Sequence, residues 1–351
     1  MVSRDIMRSS TRGFKKYYSP DLKGELRLDT NTNALGANPA AQKFMKEQKI
    51  DLNEYPGTYS NKLRIALADF YELDMENFVA GSGSDEMLDI LFKTFTEWED
   101  DCLIPYPSYN GMYDYFVQMN GGKVQYSELT DNFQLDVDSI LSSKAKIVVL
   151  ATPNNPTGNS FRQKDIEEIL EGFKGIVVVD EAYGEYTKSS MIPRVNEFDN
   201  LVVTRTFSKA YAIAGLRIGY AVANLDLADM MNAVKIPYSL NSISEGAAIA
   251  AIGDQDFIRR SVELVDKERP KLAAGLKKLG FGPFPSDSNF ILARCPIDHD
   301  VYTKALKEKK ILIRDFGNKR RMENCVRFTV GTDKMNKELL DKTKKILEDY
   351  S

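Results

Sequence analysis

An amine and a guanidinium stand close together in the middle of this chain. Lys209, in the run Thr206-Phe-Ser-Lys-Ala210, is followed shortly by Arg217, in Gly215-Leu-Arg-Ile-Gly219. A lysine amine can condense with a carbonyl, and a planar guanidinium meets a phosphate or carboxylate at two points. The pair could therefore hold an anionic carbonyl compound covalently at one end and by charge at the other. A lone lysine is more often a solvated surface charge, so the reading needs further groups. Upstream lie an amide, Asn155 in Pro153-Asn-Asn-Pro-Thr-Gly158, and a carboxylate, Asp180 in Asp180-Glu-Ala-Tyr183.

The elements that must position these groups are short β-branched runs. Ile147 to Ala151, Ile176 to Val179 and Leu201 to Thr206 each end in polar residues. Continuous Val/Ile runs of this length predict strands buried on both faces, as in a parallel sheet covered by helices, and such a sheet binds ligands outside its carboxyl ends. Three strand ends would then supply an amide, a carboxylate and an amine. That set suits pyridoxal phosphate (PLP). Asp180 would face the pyridine nitrogen and keep it protonated, and Asn155 and the Tyr183 hydroxyl would bond the ring oxygen. Lys209 would form the Schiff base and then act as general base and acid. Asp180 also fits a helix cap or the acid of a nucleotide-hydrolysing site, but the phosphate-loop string which that site needs, G-x-x-x-x-G-K-[ST], does not occur.

A phosphate cradle is expected at Ala80-Gly-Ser-Gly-Ser-Asp-Glu86, ahead of the helical pattern Met87, Leu88, Leu91, Phe92, Phe95. Ser82 with Asp85 predicts a capping box, and the glycines let an anion approach the free N–H groups of the helix start. Ser82, Gly83 and Ser84 would donate, and Thr206, Ser208 and Arg217 would complete the cup. Asp85 and Glu86 must then point away. As a dinucleotide fingerprint the segment fails, because Glu86 stands where glycine or alanine is needed.

These segments together resemble the fold-type-I PLP enzymes, and within them the histidinol-phosphate aminotransferase family. The resemblance runs along almost the whole chain: Leu28-Asp-Thr-Asn-Thr-Asn33, Tyr55-Pro-Gly57, Gly81-Ser-Gly-Ser-Asp-Glu86, Tyr106-Pro-Ser-Tyr109, Pro153 to Gly158, Asp180 to Tyr183, Ser208-Lys-Ala210, Ala214 to Tyr220, Ser288-Asn-Phe290 and Val326-Arg-Phe-Thr-Val-Gly331. It implies Lys209 as Schiff-base lysine, Asp180 on the ring nitrogen, Tyr183 and Asn155 on the ring oxygen, and Tyr109 stacked on the ring face. It implies a homodimer in which Tyr55 reaches the cofactor phosphate of the neighbouring subunit. Arg327 resembles the arginine that clamps the substrate's anionic group, with Arg314 as a second contact. Where the family usually reads Asn-Glu-Asn-Pro, this chain reads Asn31-Thr-Asn-Ala34. That segment, with Asn33, is expected near the substrate, and Tyr17 and Tyr18 could close over it.

Composition agrees with a soluble metabolic enzyme. With 351 residues and a net charge of −4, nucleic-acid binding is not expected as the main task. The basic residues Arg4, Arg8, Arg12, Lys15 and Lys16 are not followed by the apolar stretch of a signal peptide, and no apolar run approaches membrane-spanning length. The expected location is the cytoplasm. Cys102, Cys295 and Cys325 lack metal-ligand spacing, and the single histidine, His299, rules out zinc hydrolase motifs and leaves acid–base work to lysine, tyrosine and carboxylates.

The expected fold is α/β. Residues 30–245 would form a large PLP-binding domain with a mostly parallel sheet covered by helices. Residues 1–29 and 246–351 would form a small α+β domain that includes the N-terminal segment. Helices are predicted over 162–173, 245–252, 256–279 (bent at Pro270), 301–309 and 335–350, and strands over 289–294 and 324–330. The leading expectation is transamination of histidinol phosphate with 2-oxoglutarate. Threonine-phosphate decarboxylation and an aromatic or broad-range aminotransferase are the alternatives.

Overall fold

The computed structural model describes residues 4–15, 26–48 and 50–350. Tyr17 and Tyr18 lie outside them. Among the described residues twelve strands form two sheets. The chain enters with β1 (Leu26–Leu28), α1 (Pro39–Glu47) and α2 (Asn61–Tyr71), and then builds the larger sheet from β2 (Phe78–Gly81), β3 (Asp101–Tyr106), β4 (Lys123–Glu128), β5 (Ile147–Ala151), β6 (Ile176–Asp180), β7 (Leu201–Thr206) and β8 (Gly219–Ala223). Between these run α3 (Ser84–Phe95), α4 (Asn110–Met119), α5 (Val137–Ser142) and α6 (Gln163–Gly172).

The spatial order of the large sheet is β2-β8-β7-β6-β5-β3-β4, and only β8 runs against the rest. β5 and β6 are apolar almost throughout, β7 is apolar in its first half, and all three are buried along nearly their whole length. Two separate apolar clusters cover the two faces of this sheet, so neither face is open to water.

After β8 come α7 (Leu225–Val234), α8 (Ser242–Gly253) and the long α9 (Gln255–Lys278), which continues through Pro270. The smaller sheet is made by β9 (Gly282–Pro283), β10 (Phe290–Arg294), β11 (Ile311–Lys319) and β12 (Met322–Thr329), joined at one edge by β1 in the order β1-β11-β12-β10-β9. Two helices, α10 (His299–Glu308) and α11 (Asp333–Asp349), pack on it.

Two features differ from the boundaries expected from sequence. The N-terminal stretch divides: β1 joins the small sheet, but Phe14 stacks on Tyr115 of α4 at 4.7 Å and Arg8 Nη1 donates to Met119 O at 3.3 Å, so that part sits on the large unit. The apolar core of the large unit also extends beyond residue 245, through Ala247, Ala251 and Phe257 to Val265, because the first half of α9 lies over it. The two units meet near the carboxyl ends of β3 and β4. There Arg321 Nη2 donates to Thr130 O at 2.7 Å and the guanidinium of Arg320 lies 4.7 Å over the Tyr106 ring. Among the described residues no helix is long and apolar enough to cross a membrane.

Candidate active site

In-register pairing of β5, β6 and β7 aligns their carboxyl ends: Ala151 opposes Asp180, and Asp180 opposes Thr204. The residues just beyond these ends are those whose chemistry the sequence singled out. Asp180 is buried. Its Oδ2 accepts from Tyr113 Oη at 2.6 Å, and its Oδ1 accepts from the Ala182 N–H at 3.0 Å and from Thr204 Oγ1 at 3.2 Å. Burial pushes the carboxyl above its ordinary value, and the three donors oppose that shift without cancelling it. Burial and the neighbouring Asp180 in turn hold the Tyr113 phenol well above its usual range, so it remains a donor. A carboxylate in this setting gains from any cation brought to its free lone pairs.

Lys209 is half-buried. Its Nζ donates to Thr30 O at 3.0 Å and stands 5.5 Å from the centre of the Tyr183 ring. The Tyr183 hydroxyl accepts from Asn31 Nδ2 at 2.9 Å, and its ring meets Phe290 edge-on at 5.1 Å. After β5, the adjacent asparagines divide the work. Asn154 is fully buried and braces the turn through Ser108, Pro107 and Thr157. Asn155 Oδ1 accepts from Arg327 Nη1 at 2.5 Å. An arginine can only donate, so this contact fixes the amide and leaves Asn155 Nδ2 as a donor. Tyr109 begins α4, is 39% exposed, and sets its ring perpendicular to Tyr113 at 5.7 Å.

The expected anion cradle spans three strands. Gly81 opposes Gly219, and Gly219 opposes Thr206. A Cβ on Gly219 would lie 2.2 Å from Ser84 N and 2.3 Å from Gly83 C, so only glycine lets the start of α3 rest on the sheet there. Gly83 takes φ +87° as the N-cap, and a Cβ on it would meet Arg217 Nη2 at 3.0 Å. Thr206 Oγ1 accepts the Ser208 N–H at 3.1 Å. Ser82, Gly83, Ser84, Thr206, Ser208 and Arg217 are thus brought together.

The two acids of this segment do not point away as expected. Asp85 Oδ2 takes Arg217 Nη2 at 3.1 Å, and Glu86 accepts the Ser82 N–H. The predicted capping box is absent too, because Gly83 is the N-cap and no side chain caps the helix. The physical reason is proximity: Arg217 adopts φ +52°, which brings its guanidinium to the first turn of α3 and its nearest counter-charge.

Arg327, on β12, is buried between Phe290 and Phe316, with its guanidinium 5.1 and 5.8 Å from their ring centres. Its Nη2 donates to Asp29 O at 2.7 Å, and its Nε has no partner among the described residues. Burial lowers its proton affinity, and the charge of Arg314 adds to the effect.

One residue expected at the site is placed differently. Asn33 spends its amide on Ala210 O at 3.0 Å and Ser261 Oγ at 2.6 Å, with its Oδ1 accepting the Leu35 N–H, so it braces the Lys209 loop. Tyr55, expected at the site of a neighbouring subunit, is 82% exposed and lies against Tyr238. Tyr113 and Thr204 are not among the residues expected at the site, and Asn31 is expected only as part of the segment near the substrate. Tyr113 has a signal in the sequence, four residues after Tyr109 on one helix face.

An amine, a buried carboxylate, a phenol and an amide at aligned strand ends, above a glycine-lined hollow with its own arginine, define an α/β enzyme that would grip a small anionic carbonyl cofactor. The close approach at Gly219 and the donor set fit PLP.

The family model for class I and II aminotransferases matches residues 23–342, and the chain belongs to that family. It is 35% identical over 348 residues to the histidinol-phosphate aminotransferase of Ruminiclostridium cellulolyticum, covering 96% of this chain and 97% of that relative. It is 34% identical over 340 residues to the enzyme of that name from Pyrococcus furiosus, covering 96% of each. Among solved structures, the histidinol-phosphate aminotransferase of Clostridium acetobutylicum superposes with a TM-score of 0.86 at 26% identity, covering 92% of this chain and 99% of that one. The Sinorhizobium meliloti enzyme, solved with pyridoxal-5'-phosphate, gives a TM-score of 0.87 at 24% identity over 93% and 92% of the two chains, a likeness of fold.

Proposed function

We propose that the chain uses PLP to move the amino group of histidinol phosphate onto 2-oxoglutarate. The observation that carries this reading is the alignment of Lys209, Asp180, Tyr183 and Asn155 beyond three adjacent strand ends, in a chain similar over nearly its full length to histidinol-phosphate aminotransferases. When bound, PLP supplies an electron sink for the pair released at the substrate α-carbon.

The chain's own groups do the rest. Asp180, with its three donors in place, holds negative charge at the ring nitrogen. Tyr183 and Asn155 donate toward the ring oxygen. Lys209 Nζ is the group that takes and returns a proton. Tyr109 covers the ring face, and Ser82, Gly83, Ser84, Thr206, Ser208 and Arg217 hold the phosphate. Arg327 and Arg314 hold the anionic end of the substrate. Tyr17, outside the described residues, belongs to the same proposal on the sequence alone.

Tyr55 serves the site of a second copy. Its exposure supports this, as do the exposed apolar side chains of Leu52, Ile236 and Tyr238 on segments joined by the Tyr238 N–H to Thr58 O bond.

The test is a paired incubation. Glutamate formed from histidinol phosphate and 2-oxoglutarate supports transfer. Carbon dioxide released from O-phosphothreonine, with no glutamate formed in the first arm, overturns it.

A further inference from the structure

Three consecutive residues ahead of the large unit each hold one group of the site: Asp29 O takes Arg327 Nη2, Thr30 O takes Lys209 Nζ, and the Asn31 side chain meets Tyr183. The last contact has a definite polarity. The Asn31 backbone N–H donates to Thr329 Oγ1 at 3.1 Å, so that hydroxyl must send its own proton elsewhere, and it reaches Asn31 Oδ1 at 3.2 Å. This turns the amide so that Nδ2 faces Tyr183 Oη at 2.9 Å. The backbone itself is pinned: Asn31 is 1% exposed, has φ +55°, and its carbonyl accepts from Asn289 Nδ2 at 3.0 Å. Asparagine is among the few residues that take this left-handed conformation readily. With Asn31 supplying a proton to Tyr183 Oη, the single proton of that hydroxyl is released to point into the site.

We propose that Asn31 is a positioning residue that forces the Tyr183 hydroxyl to act as a donor toward the cofactor's ring oxygen, and so sets the proton affinity of the bound cofactor. The proposal rests on the PLP reading above. A donor on the ring oxygen favours its anionic form and eases deprotonation of the neighbouring lysine-bound nitrogen, so losing the donor raises the midpoint of the visible-absorbance titration.

Asn31→Asp keeps the size of the side chain but leaves only acceptors, which draw the Tyr183 proton back. In the PLP-loaded protein the midpoint should rise by about one pH unit, the tenfold change expected for one charge-assisted hydrogen bond. In a Tyr183→Phe background the same substitution should add nothing, because the hydroxyl it acts through is gone. Asn31→Gly keeps the left-handed backbone without adding charge, and should raise the midpoint by roughly a few tenths of a unit through loss of bond cooperativity alone. It decides the matter if the aspartate variant does not load. An unmoved midpoint in the aspartate variant, or in the glycine variant where only that one loads, overturns the proposal. So does an equal shift with and without Tyr183. A wild-type protein that develops no visible band with PLP contradicts the cofactor reading instead.

Discussion

Arg314 of β11 and Arg327 of β12 are direct cross-strand partners, one exposed and the other buried. Like charges in that position destabilise a ladder unless an anion lies between them, and Arg327 keeps its Nε without a partner among the described residues. The pair suits the proposed task of holding an acidic substrate group. Removing a charged hydrogen bond of about 1.5 to 3 kcal/mol changes binding about ten- to a hundredfold. Arg327→Ala should lower kcat/KM by about a hundredfold or more, because it also frees Asn155 to rotate. Arg314→Ala should act mainly on KM, by about tenfold. Steady-state kinetics on both variants check this, and a larger loss in the Arg314 variant would contradict the assignment.

The ion pair between Arg217 and Asp85 is half-exposed on both sides and lies within the phosphate cradle. Exposed pairs contribute about 0 to 1 kcal/mol, so a phosphate dianion displaces Asp85 easily. Asp85→Asn should therefore tighten PLP binding by up to about fivefold, measured by absorbance titration. Weaker binding would mean that Asp85 helps to build the cradle.

Burial raises the Asp180 carboxyl above its unfolded value of about 4. Its contribution to the stability of the cofactor-free protein is then fully present below about pH 4 and is lost as pH rises through the higher folded value. Asp180→Asn, which cannot ionise, should melt higher than wild type at neutral pH without cofactor, with the difference closing as pH falls toward 4. In the presence of PLP the order should reverse, since the ring nitrogen then lacks its counter-charge. Melting curves across pH with and without PLP test both halves.

Much of this architecture is legible in the chain, and the reason is local. Val/Ile runs such as Ile147–Ala151 and Ile176–Asp180 declare buried parallel strands, and the residues after them must fall at the sheet's carboxyl edge. Asn155, Asp180 and Lys209 follow from that alone. Asn31 was not legible, because its role is fixed by Thr329 and Tyr183, which are remote in sequence and belong to different units. Asn33 lies in the same short segment and reads as a substrate contact, yet its amide turns to Ser261 of α9. The orientation of Asp85 depended on the left-handed turn at Arg217, which an arginine does not advertise. The seating of Phe14 on α4 left no periodic pattern either.

The central claim is a covalent grip by one amine, and borohydride reduction of the PLP-loaded protein followed by peptide mapping tests it most directly. The account predicts a yellow protein that, once reduced, carries the pyridoxyl group on Lys209, and a Lys209→Ala variant that binds PLP reversibly and gives no adduct. A reduced adduct on another lysine, or an active protein with none, would contradict it.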